Sequence, residues 1–161
     1  MSIPLMTKNS KEIFMKHLLL IVCLIAMSLN ATAQSSDKDL VYAAIEDYVD
    51  ALYLVQPERI QRSVHPNLSK KGFSRPKDKT EYGPEMTMTY QQLYDLAGKW
   101  NAKGKLPKDA PKKIEIFDVQ DKTAVGKLTA QWGTDYFHLA KYDGKWMITN
   151  VLWQSHPVRN Q

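Results

Sequence analysis

Four β-type segments in a row, separated by tight turns, dominate the second half of the chain and confine it to folds built on an antiparallel sheet. Lys113 to Val119, Thr123 to Trp132, Asp135 to Tyr142 and Lys145 to Gln154 are rich in β-branched and aromatic residues. Between them stand Gln120-Asp121-Lys122, a turn at Gly133, and Asp143-Gly144, a pair suited to a two-residue hairpin. Ahead of them the period changes. Val41, Ala44, Ile45, Tyr48, Val49 and Leu52 form one apolar stripe at helical spacing, with Glu46, Asp47 and Asp50 on the other side. Pro57 suits the first position of a short second helix, Glu58 to Val64; Pro66 stops it and pushes His65 toward an extended backbone. Thr89 and Gln92 make the capping box of a third helix, with Leu93, Leu96, Ala97 and Trp100 on one face and Gly104 and Pro107 at its end. The Lys-, Gly-, Ser- and Pro-rich stretch from Asn67 to Glu85 reads as a long loop with one short strand around Gly72–Phe73. Its basic cluster, Lys70, Lys71, Arg75, Lys77 and Lys79, reads as solvated. Helices followed by a meander predict a single α+β domain with the helices on one face of the sheet.

The first 33 residues stand outside that pattern. Met15-Lys16-His17 is a basic start, Leu18 to Met27 an unbroken apolar run, and Ala31-Thr32-Ala33 a small-residue cleavage site, the order of a secretory signal peptide. The run is about half the roughly 20 residues of a membrane-spanning helix, so no integral membrane segment is expected after cleavage. Met15 is an alternative start. The expected mature domain, 34–161, is soluble and exported to the periplasm or beyond. It has no cysteine, because Cys23 leaves with the signal, so the core alone must hold the fold. Its net charge falls from +5 to +3, too mild to point to a nucleic-acid partner.

Alternation along a strand assigns faces. Asp135, Phe137 and Leu139 share one face of their strand; Tyr136, His138, Ala140 and Tyr142 share the other. Strict parity in the last strand sets Trp146, Ile148, Asn150 and Leu152 against Met147, Thr149, Val151 and Trp153. The outer face is then rich in aromatic and apolar residues, which predicts a homodimer through Tyr136, His138, Val151 and Trp153. Asp135 and His138, three apart, point to opposite faces and cannot form a pair.

The order of elements, with "VHPNLSKKGF" after the second helix, "MTYQQLYDLAGKWN", "TAVGKLTA" and "DYFHLAKYDGKWMITNVLW", resembles the nuclear transport factor 2-like superfamily. Within it the chain is similar to the bacterial "Putative lumazine-binding" family, over essentially the whole mature length. The resemblance implies a cone-shaped, cystatin-like α+β fold with N-terminal helices packed on a curved antiparallel sheet, a cavity at the open end, and frequent dimerisation through the sheet. Relatives on this fold include isomerases, dehydratases, epoxide hydrolases, polyketide cyclases and members without known activity. His65 matches the family's His-Pro and Asp135 its acid at the start of the penultimate strand. The residue sets of the isomerase, the dehydratase and the epoxide hydrolase have no clear match.

Asp135 is therefore the candidate general base and His65 its candidate partner, set against the plainer readings of a turn-capping acid and a helix-end histidine. Tyr48, Tyr90, Trp100 and Phe137 are the candidate pocket residues, with core packing as the alternative for Tyr48, Tyr90 and Trp100. No cofactor is expected: there is no Gly-rich phosphate loop and no serine elbow. Nor do His65, His138 and His156 have metal-ligand spacing. Three functions remain open: an exported domain binding an unidentified small molecule, a cofactor-free isomerase, dehydratase or hydrolase using Asp135, and an interaction module with a filled cone.

Overall fold

The computed structural model describes residues 35–158. The chain runs through helices α1 (Asp37–Tyr53) and α2 (Glu58–Ser63), strands β1 (Val64–Phe73) and β2 (Glu85–Met88), helix α3 (Tyr90–Ala97), and strands β3 (Lys112–Val119), β4 (Thr123–Ala130), β5 (Gly133–Tyr142) and β6 (Lys145–Ser155). The signal-peptide reading lies outside the described residues. Among those described, no helix is long and apolar enough to cross a membrane.

α1 begins where Ser36 accepts from the Asp39 amide and Asp39 reaches back to the Ser36 amide, satisfying two donors the helix cannot. Its apolar stripe is buried against β3, β4 and β6. It ends with the Gln56 amide bonded to the Ala51 carbonyl, and Val55, at φ 58°, occupies the left-handed position that glycine usually takes. α3 carries the expected Thr89–Gln92 capping box.

The six strands form one sheet in the order β2-β1-β6-β5-β4-β3. The expected meander, β3 to β6, is antiparallel throughout, and Asp143 and Gly144, both at positive φ, make its last turn. The architecture is thus α+β, with N-terminal helices on a curved sheet. One ladder departs from the antiparallel expectation: β1 lies parallel to β6.

β1 also corrects the reading of residues 67–85. Its first part, to Phe73, belongs to a strand in the body of the sheet, paired on both edges, and the loop proper is confined to residues 74–84. Two features hid it. Pro66 has no amide for the ladder, whose register slips between Val64 and Ser69. Farther on, the inward positions hold Lys70 and Gly72, so no apolar alternation marks the strand.

A second correction follows from a bulge. His138 pairs with Asn150 and Leu139 with Ile148, leaving Thr149 as an extra residue in β6. Parity reverses there. Trp146 and Ile148 face inward as expected, but so do Val151, fully buried, and Trp153, packed on the core. The outer face expected for a dimer therefore lacks Val151 and Trp153. It keeps Tyr136 and His138, and gains Asn150 and Leu152.

Candidate functional site

Asp135 opens β5 on its inner face, directly across from Trp153 of β6, and its side chain is fully buried. Gly133 sets its approach: a Cβ there would lie 1.9 Å from the Gln154 carbonyl oxygen, so only glycine lets the start of β5 lie this close to the end of β6. A carboxylate in an apolar interior needs partners. None of those found is backbone. Oδ1 accepts from the Lys70 ammonium at 3.2 Å and from the Tyr48 hydroxyl at 3.3 Å, while Oδ2 accepts from the Trp132 indole N–H. Lys70 also donates to the Tyr48 oxygen at 2.8 Å, closing a triangle of lysine, tyrosine and aspartate.

Each member comes from a different element. Tyr48 sits on the buried stripe of α1, Lys70 on the inward parity of β1, and Trp132 in the β4–β5 turn. Lys70 and Asp135 are the only buried charged side chains among the described residues. Burial pushes the Lys70 amine below its ordinary range, against the pull of the Asp135 charge and hydrogen bond. Burial likewise pushes the Tyr48 hydroxyl well above its ordinary range, helped by the Asp135 charge and then by the hydrogen bond to it.

Lys70 and Tyr48 line a cavity of about 170 Å³ whose other walls include Trp100, Trp132 and Trp153, Met86 and Met88 of β2, and leucines of α1 and α3. Gly72 makes room for Trp153: a Cβ there would fall 2.3 Å from the indole and from the Trp153 carbonyl oxygen. Lys70 Nζ lies 5.3 Å from the Trp153 ring centre and 5.5 Å from that of Tyr48. Larger hollows exist, of about 310 Å³ beside Leu40 and Trp146, about 400 Å³ beside Phe117 and Val119, and about 540 Å³ beside Pro111 and His156, but none of the three has a buried charged residue in its wall.

The expected site residues divide. Tyr48 and Trp100 line the cavity. Phe137 lies behind Tyr48, edge-on to its ring at 5.1 Å, and is core. Tyr90, half-buried at the start of α3, does not line the cavity. Asp135 is beside it but covered by its three donors, so it does not line the wall either. His65 is not brought to Asp135. Its ring stacks on Tyr142, at 4.7 Å, and its Nδ1 accepts from the Asn67 amide. Tyr142 ends the strand that Asp135 begins, about 20 Å away at the rise of an extended chain. Three members were missed by the sequence reading: Lys70, read as solvated; Trp153, read as outward; and Trp132, given no role. The available signal was positional, since Lys70 and Gly72 stand two apart and so share one strand face. His138, as parity required, is on the outer face, beside Asn150 Oδ1 at 3.3 Å.

The family model described as "Putative lumazine-binding" matches residues 36–154. Among solved structures, similarity is found to an NTF2-like protein of unknown function from Shewanella baltica, at 16% identity and TM-score 0.59, covering 78% of this chain and 98% of that one. A second NTF2-like protein of unknown function, from Methylobacillus flagellatus, matches at 24% identity and TM-score 0.55, covering 76% and 96%. A Nostoc punctiforme domain of unknown function with a cystatin-like fold matches at 12% identity and TM-score 0.51, covering 79% and 82%. These likenesses carry the fold alone. Comparison with curated proteins gives no match.

Proposed function

The chain belongs to the "Putative lumazine-binding" family, and from that premise and the site's geometry we propose that it is an exported small-molecule-binding domain whose ligand occupies the cavity over Lys70 and Tyr48. One observation carries the reading: a buried ion pair stands at the wall of an apolar cavity. Such a pair contributes little net stability compared with well-packed apolar residues. Its presence is better accounted for by something that the cavity receives.

The catalytic alternative, an isomerase, dehydratase or hydrolase with Asp135 as base, is less well supported. Both Asp135 oxygens are engaged, and any proton leaving a substrate has to pass through Lys70 or Tyr48. The filled-cone alternative conflicts with about 170 Å³ of free space. A second copy of the chain is the proposed cover for the outer sheet face, where Tyr136 and Leu152 pair across strands at 47% and 48% exposure. Light scattering on the purified protein tests this, and a monomer at micromolar concentration refutes it.

The test of the binding reading is native mass spectrometry of protein purified from its own source. A co-purified small molecule, lost when Trp100→Ala and Trp153→Ala open the wall, is the expected result. Protein that carries nothing, and whose tryptophan fluorescence answers to none of a panel of small aromatic compounds, overturns it.

A further inference from the structure

Resting on the cavity reading above, we infer that the site takes an uncharged, planar single-ring compound bearing a hydrogen-bond acceptor such as a carbonyl oxygen, which docks on the one free N–H of Lys70.

Size sets the first limit. Ordinary ligand pockets run from about 300 to 1,000 Å³, and an engineered apolar cavity of about 150 Å³ holds benzene. At about 170 Å³ the space over Lys70 fits one substituted ring. Its walls set the second limit. Three indoles and two methionine thioethers present flat or polarizable surfaces, which suit the faces and edges of another π system.

Hydrogen-bond counting sets the third. An ammonium has three donors, and those of Lys70 meet the Tyr48 oxygen and Asp135 Oδ1, leaving one without a partner among the described residues. The Tyr48 hydrogen is committed to Asp135, and Asp135 itself is held by three donors and lies outside the cavity wall. What the polar end of the cavity offers a ligand is therefore a donor, and what it asks for is an acceptor.

Charge sets the last. Lys70 and Asp135 neutralise one another, so a ligand of either sign would bring an uncompensated charge into a buried site. An anion would compete with Asp135 for Lys70. A cation, which an aromatic wall would otherwise attract, would meet the Lys70 ammonium already lying beside the Tyr48 and Trp153 rings.

Four probes of nearly equal shape separate these terms: acetophenone, cumene, benzoate and benzylammonium, titrated by calorimetry or indole fluorescence. Acetophenone is expected to bind at least about tenfold more tightly than either ion, as an unpaired buried charge requires. In the double variant Lys70→Met with Asp135→Asn, acetophenone affinity is expected to fall about tenfold, the lower range for a hydrogen bond to a charged donor. Cumene affinity is expected to hold or rise. Benzoate or benzylammonium binding as well as acetophenone overturns the inference, as does a variant in which acetophenone and cumene affinities move together. If the variant does not fold, the ranking of the four probes on the unaltered protein decides alone. Cumene binding without these discriminations overturns only the ligand class; no binding by any of the four overturns the cavity reading along with it.

Discussion

The molecule contains two clusters of lysine, aspartate and tryptophan, built alike and placed differently. In one, Lys70 pairs with Asp135 at 3.2 Å and the Trp132 indole donates to the same carboxylate. In the other, Lys141 pairs with Asp37 at 2.7 Å and the Trp146 indole donates at 2.9 Å. Each lysine also lies near an indole face, Trp153 at 5.3 Å and Trp146 at 5.8 Å. The difference is water. The side chains of the first pair are 6% and 0% exposed, those of the second 25% and 37%. At the surface either partner can turn to solvent when the other is lost, so the Asp37 cluster fastens the first turn of α1 to β5 and β6 without much depending on it. In the interior neither can. The same three residue types make a latch in one place and a fixed polar group beside an apolar cavity in the other.

Asp135→Ala separates the two clusters most sharply. That change leaves the Lys70 ammonium in an apolar wall and strands two donors, at an expected cost of about 3–5 kcal/mol in chemical denaturation. The variant should recover at alkaline pH. Burial already holds the folded Lys70 amine below the unfolded value of 10.5, and without Asp135 nothing opposes that shift. The unfolded chain then binds more protons across the window below pH 10.5, so stability rises with pH there. A flat profile, or a loss no larger than a surface pair gives, would mean that the interior cluster is as wet as the exterior one.

Tyr48→Phe comes next, at about 1–3 kcal/mol for the donor and acceptor it removes. Its signature is again in the pH profile. The folded Tyr48 hydroxyl titrates well above 10.0, so its contribution is complete below pH 10 and is lost as pH rises beyond the unfolded value. The variant should lose that alkaline fall, measured as the slope of denaturation free energy above pH 10. Removing both charges, in Lys70→Met with Asp135→Asn, should cost less than either change alone. The side-chain amide that replaces the carboxylate can accept from Trp132 through its oxygen and donate to the Tyr48 oxygen, freed of Lys70, through its nitrogen, and stability should stay within about 1 kcal/mol of the parent or exceed it. A large loss from the double variant would make the pair a stabilising feature, present for the fold and not for a ligand.

The contrast between the clusters also explains what the sequence disclosed. Periodicity exposes α1, and with it Tyr48, because every position of the stripe is apolar. Turn chemistry exposes the β5–β6 hairpin, and parity correctly put Asp135 inside and His138 outside. β1 stayed hidden because the feature that brings it to the cavity, a lysine and a glycine at successive inward positions, is what strips it of a strand's pattern. The bulge at Thr149 has no residue signature, and one extra residue was enough to send Val151 and Trp153 to the wrong face. His65 misled for a different reason: a motif position says that a residue recurs, and here its ring is spent on Tyr142. The fold was readable because it rests on repeated patterns. Half of the site was not, because it rests on single exceptions to them.

Lys141→Met is the smallest effect and the control for all the others. The hydrogen bond from Lys141 is the main cause holding the Asp37 carboxyl below its usual value of 3.8, with the Trp146 indole second. A depressed acid contributes stability that is present above its unfolded pKa and is lost as pH falls through its folded one. The variant should therefore move the Asp37 titration, followed by carboxyl-carbon NMR, upward toward 3.8 without reaching it, because Trp146 still donates. At neutral pH the denaturation midpoint should shift barely or not at all, and any shift should vanish in high salt, where exposed charges are screened. Should Lys141→Met cost as much as Asp135→Ala, burial would not be what separates the two clusters, and the reason for reading the inner one as a ligand site would go with it.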